Sequence, residues 1–202
     1  PEAERARIRQ VIGDNEWAKA EYARVREAAT ADGHLAAFLY ALDGEAAHLP
    51  LARQWLLARY GREAYATRTA AAHLADPDYF KGGQGGIPSV YYETDFTGLI
   101  GFDWVHDGLD GAARGEIRDG IVTQARYKLR CMDRWTQTPN LVFKPTCYVA
   151  LAGLVTQEPE LIQWGFHRKP GSPIGGYFSV LDVMLADGGP WREAPIYAVA
   201  HE

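Results

Sequence analysis

The chain predicts an all-α fold of stacked helical hairpins, and three observations predict it. Apolar residues recur at helical spacing through nearly every segment. Strand-type alternation never lasts more than a few residues, and no repeat is strict enough to mark a known solenoid. Segments of about 10 to 16 residues close on glycine-containing turns, the pattern of paired helices.

From Glu4 to about Ala31, Ile8, Val11 and Ile12 and then Trp17, Tyr22, Val25 and Ala28 predict two helical segments, with Asp14 or Asn15 as the N-cap between them. Gly33 fits a helix stop. His34 to Leu42 reads as an apolar helix closed by Asp43-Gly44, Glu45 to Tyr60 as another closed by Gly61, and Arg62 to Leu74 as a third ending before Asp76-Pro77. The glycines and prolines between Asp76 and Pro88 predict a long loop. Helix resumes over Val90 to Val105, pauses at Gly108 to Gly111, and runs from Ala112 to about Trp135. After the loop Thr136 to Asn140 come helices Leu141 to Thr156, Pro159 to about Phe166 and Tyr177 to Ala186, with a polar loop at His167 to Gly175. Asp187-Gly188-Gly189-Pro190 reads as a turn, and Trp191 starts a helix that runs to Glu202 without an exit signal, the pattern of a longer chain cut short.

The 202 residues suit one domain, 1–202, and 47% hydrophobic with 23% charged residues is ordinary for a globular protein. The net charge of −5 argues against a nucleic-acid or anionic-membrane binder, although a local basic cleft can still hold an anionic chain. No apolar run is long enough to span a bilayer, and no signal peptide is visible. Cys131 and Cys147, the two cysteines, read as small core hydrophobes, with a bridge between them as the alternative.

Two helix starts carry chemistry. Asn140 opens an apolar helix, and its amide can donate to a carboxylate where the helix dipole favours an anion; the plain alternative is an N-cap. Tyr197 stands near the start of the last helix and offers a phenol that can carry a proton if cations or hydrogen bonds lower its pKa from about 10; the plain alternative is a core tyrosine.

Helical hairpins followed by Phe102-Asp103-Trp104-Val105-His106-Asp107, by Thr138-Pro139-Asn140, and by Met184-Leu185-Ala186-Asp187-Gly188-Gly189-Pro190-Trp191-Arg192-Glu193-Ala194-Pro195-Ile196-Tyr197 together resemble the heparinase II/III and alginate lyase group of polysaccharide lyases. The chain departs from that pattern in reading Glu193-Ala194-Pro195 before Ile196-Tyr197 and in having no histidine beside Tyr197. The resemblance implies an incomplete (α/α) toroid, with further toroid hairpins and β-sandwich domains expected downstream. It implies β-elimination on a uronic-acid-containing glycan, with Asn140 neutralising the carboxylate and Tyr197 transferring the proton. It also implies a periplasmic or secreted enzyme that needs no cofactor within this chain, a structural metal being left to the downstream domains.

Further candidates surround these two. Glu193 lies four residues before Tyr197 and either orients the site or complements a helix dipole. Arg126, Arg130 and Arg134 recur at four-residue spacing, and Arg134 is the best placed to read carboxylate or sulfate; the alternative is a solvated basic helix end. His167 and Arg168, with Lys169, form a second basic cluster. Among the six tryptophans and eleven tyrosines, Trp135 is the first choice for stacking on a sugar, with Tyr91, Tyr92 and Trp191 next.

The glycines at 82–86 lack the Gly-Lys-Ser/Thr ending of a phosphate loop, the six histidines form no zinc motif, and no nucleophile elbow occurs. His106 with Asp103 and Asp107 reads as a helix-end cluster. Two rival readings remain: an (α/α)-barrel glycoside hydrolase drawing on Asp95, Asp103 and Glu193, and a non-catalytic glycan-binding scaffold.

Overall fold

In a computed structural model, residues 2–67, 95–132, 139–172 and 175–185 are described, positions 65–67, 131, 139–142 and 183–185 by their backbone alone. The described residues contain ten α-helices and two single 3₁₀ turns, and no strand. In chain order the helices are α1 (Glu2–Asp14), α2 (Glu16–Ala28), α3 (Gly33–Asp43), α4 (Leu49–Tyr60), α5 (Arg62–Thr67), α6 (Phe96–Val105), α7 (Gly111–Met132), α8 (Pro139–Thr156), α9 (Pro159–Phe166) and α10 (Tyr177–Leu185). The all-α class therefore holds. No described helix is long and apolar enough to cross a membrane. The predicted Asp76-to-Pro88 loop and the final helix from Trp191 lie outside the described residues.

The chain divides into two compact units, one of residues 1–67 with 97–120 and one of 68–96 with 121–202. In the first, buried Ala36, Leu39 and Leu42 of α3, Leu56 and Tyr60 of α4, Leu99 and Phe102 of α6, and Ile117 of α7 supply the core. α1 buries no residue and is tied down by Arg9, whose Nη1 donates to the Leu42 carbonyl at 2.6 Å. Between α1, α2 and α3 an apolar cleft of about 340 Å³ is lined by Ile8, Val11, Trp17, Phe38 and Leu42. At its side the Tyr22 hydroxyl donates to Asp43 Oδ2 at 2.5 Å, and Arg26 forks onto Glu45 at 3.1 and 3.2 Å. Burial, reinforced by the bond to Asp43, pushes the Tyr22 phenol up.

Three local expectations are corrected. Asn15 occupies the cap position before α2 but does not cap; its Nδ2 donates back to the Val11 carbonyl at 2.9 Å and so closes α1 instead. Gly33 starts α3 and does not stop a helix: Asp32 caps it by accepting from His34 N and Leu35 N at 2.8 and 3.1 Å. The Trp55 side chain lies where a Cβ at position 33 would fall, which requires the glycine. The span from Glu45 is a 3₁₀ turn at Ala46–His48 followed by α4, because Pro50 has no N–H to continue one α-helix through that point and suits a helix start.

Within α7, two glycines face opposite surroundings. A Cβ at Gly120 would overlap the Tyr60 carbonyl oxygen, whereas nothing stands within 4 Å of one at Gly115. Alanine in a helix gains up to about 1 kcal/mol over glycine, and overpacking costs about 1–3 kcal/mol. Gly115→Ala is expected to raise, and Gly120→Ala to lower, the urea midpoint at unchanged slope.

Asp110 caps α7 by accepting from Ala113 N at 2.8 Å, and Arg53 reaches its other oxygen at 3.2 Å. The backbone N–H bond, aided by Arg53, holds this carboxyl below the usual range. A carboxyl whose folded pKa is depressed contributes stability above its unfolded pKa and loses it as the pH falls through the folded one. Asp110→Asn is therefore expected to lower the thermal midpoint at neutral pH and to converge on the parent in acid, below the ordinary carboxylate range.

Candidate functional site

Within the second unit four chain segments meet at one end. α8 begins with Pro139 at its first position, where a missing N–H costs nothing. Asn140 is the second residue of that helix, inside it, so the N-cap alternative gives way. Three residues on, the half-buried Phe143 packs against Tyr177, the first residue of α10, with ring centroids 5.9 Å apart. Tyr177 also lies 6.3 Å from Phe166 at the end of α9, and Phe166 lies 5.7 Å from Phe178. Phe178 in turn stands 5.7 Å from the His167 ring.

The backbone draws the turn after α9 onto the start of α10. Gly176, at φ +76°, lies against the His167–Arg168 peptide so closely that a Cβ would overlap it. A Cβ on the neighbouring Gly175 would lie 3.2 Å from Met132 Sδ at the end of α7, and the same sulfur accepts from Thr146 Oγ1 at 3.7 Å. The structure thus joins the His167–Arg168 turn to the start of α10, and Tyr177 of α10 to Phe143 of α8. Both His167 and Arg168 are exposed.

Other sequence candidates divide differently. Tyr197, Glu193, Trp191, Trp135, Arg134, Tyr91 and Tyr92 lie outside the described residues, as does the Asn140 side chain. Arg126 is committed elsewhere: its Nη2 meets Glu158 at 3.1 Å and its Nε meets Glu160 at 3.0 Å, pinning α7 to the start of α9. His106 bonds Asp107 through Nδ1 at 2.9 Å in the 3₁₀ turn after α6, as a helix-end pair, and that bond holds the Asp107 carboxyl low. No cluster of three metal-ligating side chains occurs among the described residues.

Sequence reasoning passed over two groups. Tyr177 and Phe178 read in the sequence only as part of a helix, and the Gly175-Gly176 pair before them is the one local signal of a tight joint. Lys128 is 2% exposed, with its ammonium 4.9 Å from the centre of the Tyr148 ring. The Tyr148 hydroxyl donates to Gln124 Oε1 at 3.0 Å, one turn before Lys128 on α7, and Phe96 flanks the same ring at 6.3 Å. This cation–π contact is sealed from solvent and belongs to the core.

The exposed end can stack an apolar sugar face on a ring and meet an anion with a guanidinium. Comparison of the chain with family models, with curated proteins and with solved structures gives no match.

Cys147, on α8, is a free thiol, and burial pushes its pKa up to about 11. Thiolate is the reactive form, so in a Cys131→Ser background Cys147 is expected to react far more slowly with an aromatic disulfide reagent at pH 8 than it does after unfolding. Equal rates in the two states would contradict the burial.

Proposed function

We propose that the chain forms part of the (α/α) toroid of a polysaccharide lyase that cleaves a uronic-acid-containing glycan. The observation that supports the reading is the exposed His167–Arg168 turn held against Gly176, beside the Phe143–Tyr177 contact that ties α10 to the helix Asn140 opens. In this reading the start of α8 and the basic turn each offer a positive group to the carboxylates of the glycan. The motif resemblance adds Tyr197 and the reaction class.

In this reading Asn140 donates its amide hydrogens to the sugar carboxylate and spreads its charge, which makes the C5 proton removable. Tyr197, as phenolate, takes that proton. Electrons of the C5–H bond form the C4–C5 double bond, and the C4–O bond breaks. The same phenol then returns the proton to the leaving glycosidic oxygen, so atoms and charge balance. Arg134, His167, Arg168 and Glu193 hold acidic and hydroxyl groups of the chain, while Trp135, Trp191 and Tyr92 stack on rings. No cofactor enters. Downstream toroid hairpins, β-sandwich domains with any structural metal, and export to the periplasm or medium belong to the same proposal.

The test is digestion of alginate and heparin by the full-length protein, followed by ultraviolet absorbance of the conjugated product. Asn140→Ala and Tyr197→Phe are each expected to lower kcat by about 10²–10⁴-fold. Saturated products would instead identify a glycoside hydrolase. Oligosaccharide binding that survives Tyr197→Phe, with no turnover in the parent, would identify a binding scaffold.

A further inference from the structure

We propose that the face formed by α1 and α2 is the contact surface of a two-fold dimer, in which Trp17 of each copy fills the apolar cleft of the other. Trp17 is 67% exposed, more than any other large apolar side chain among the described residues. It also lines the cleft of about 340 Å³, together with Ile8, Val11, Phe38 and Leu42. The two helices leave their apolar side unfinished: α1 buries none of its residues, α2 buries Ala18 alone, and Val11 is 38% exposed. A half-covered stripe beside an open indole gains by burial, and an indole carries about 150–250 Å² of surface into a contact. A projecting ring and a hollow on one face are what an isologous contact requires, because the same patch must provide both knob and socket.

Charge favours a copy of the chain over other apolar occupants. α1 sets Arg5, Arg7 and Arg9 against Glu2, Glu4 and Asp14, and α2 sets Lys19, Arg24 and Arg26 against Glu16, Glu21 and Glu27. Both helices are thus neutral, and the chain's net charge of −5 lies elsewhere. Two such faces meet without like-charge repulsion, whereas an anionic bilayer or a polyanion finds no basic excess to hold it. The cleft is bordered by Arg7 from α1 and Glu21 from α2. Arg7 is exposed and loosely held, 3.8 Å from Glu4, and Glu21 is exposed beside Arg24. A two-fold axis running along the cleft lays α1 of one copy over α2 of the other. Arg7 of each copy then meets Glu21 of the other, twice in the dimer.

The experiment is sedimentation equilibrium of the full-length protein over a range of concentrations. A monomer–dimer equilibrium is expected, and Trp17→Ala is expected to weaken it at least about tenfold. Because Trp17 is exposed, an unaltered circular dichroism spectrum accompanies that change. Arg7→Glu and Glu21→Arg are each expected to weaken the dimer about tenfold. Mixing these two variants is expected to restore it, since each then presents the charge that the other lacks. Arg7 and Glu21 interacting only within one chain cannot give that rescue. The dimer is overturned if the protein stays monomeric at every concentration, which would leave the cleft to a different partner or to a further segment of the chain. It is equally overturned if a dimer forms but ignores Trp17→Ala, or if the mixture associates no better than the single variants. Trp17-dependent adsorption of a monomer to phosphatidylserine vesicles would overturn it in favour of a lipid surface. None of these outcomes touches Asn140 or Tyr197, so the lyase reading stands or falls separately.

Discussion

The second unit depends on a backbone-to-backbone contact between α8 and α9. Gly165 lies so close to Ala150 that a Cβ would sit 2.5 Å from its Cα, and Gly153 stands in the same relation to the Ile162 nitrogen, also at 2.5 Å. The short α9 therefore runs back along α8 with no side chain between them at these two points, and Leu161 is buried beside them. Only eight residues long, α9 has too little length to hold itself in water, so its helicity follows from this docking. Where α9 ends, and hence where the His167–Arg168 turn emerges, is set by the two missing side chains. Arg126 bonding Glu158 and Glu160 secures the other end of α9 from α7.

Charge and packing divide the labour differently along α7. Arg126 reaches out to carboxylates that remain partly hydrated, a kind of pair worth little on its own. Two residues later Lys128 turns inward, with its ammonium over the Tyr148 face. A buried ammonium is costly unless its surroundings answer it, and the Tyr148 face is part of that answer. Both cations look alike in the sequence, and only the fold distinguishes them.

That contrast shows what was legible beforehand. Helix order could be read because apolar spacing and turn residues are local signals: α9 begins and ends at Pro159 and Phe166 as expected, and Gly44 closes α3 in the left-handed conformation at φ +76°. Asn15, Gly33 and the turn before Pro50 misled because each is a local rule with a local competitor: a back-bonding amide, a preceding aspartate, a ring without an N–H. The carboxylates that claim Arg126 lie 32 and 34 residues away, beyond the reach of any periodicity argument. The site was legible in the same partial way. His167 and Arg168 stand out in the sequence by their chemistry, but the aromatic joint beside them depends on Phe143 and Tyr177, which no motif marks.

The glycine pair at 175–176 carries a consequence for how such a surface changes over evolutionary time. Both residues hold positive φ, and Gly176 has no room for a methyl group, so the joint tolerates almost no drift. Arg168 and Asp182 are exposed and can be exchanged at little structural expense. Side chains around the joint can therefore be exchanged over time, while the glycine pair beneath them stays fixed.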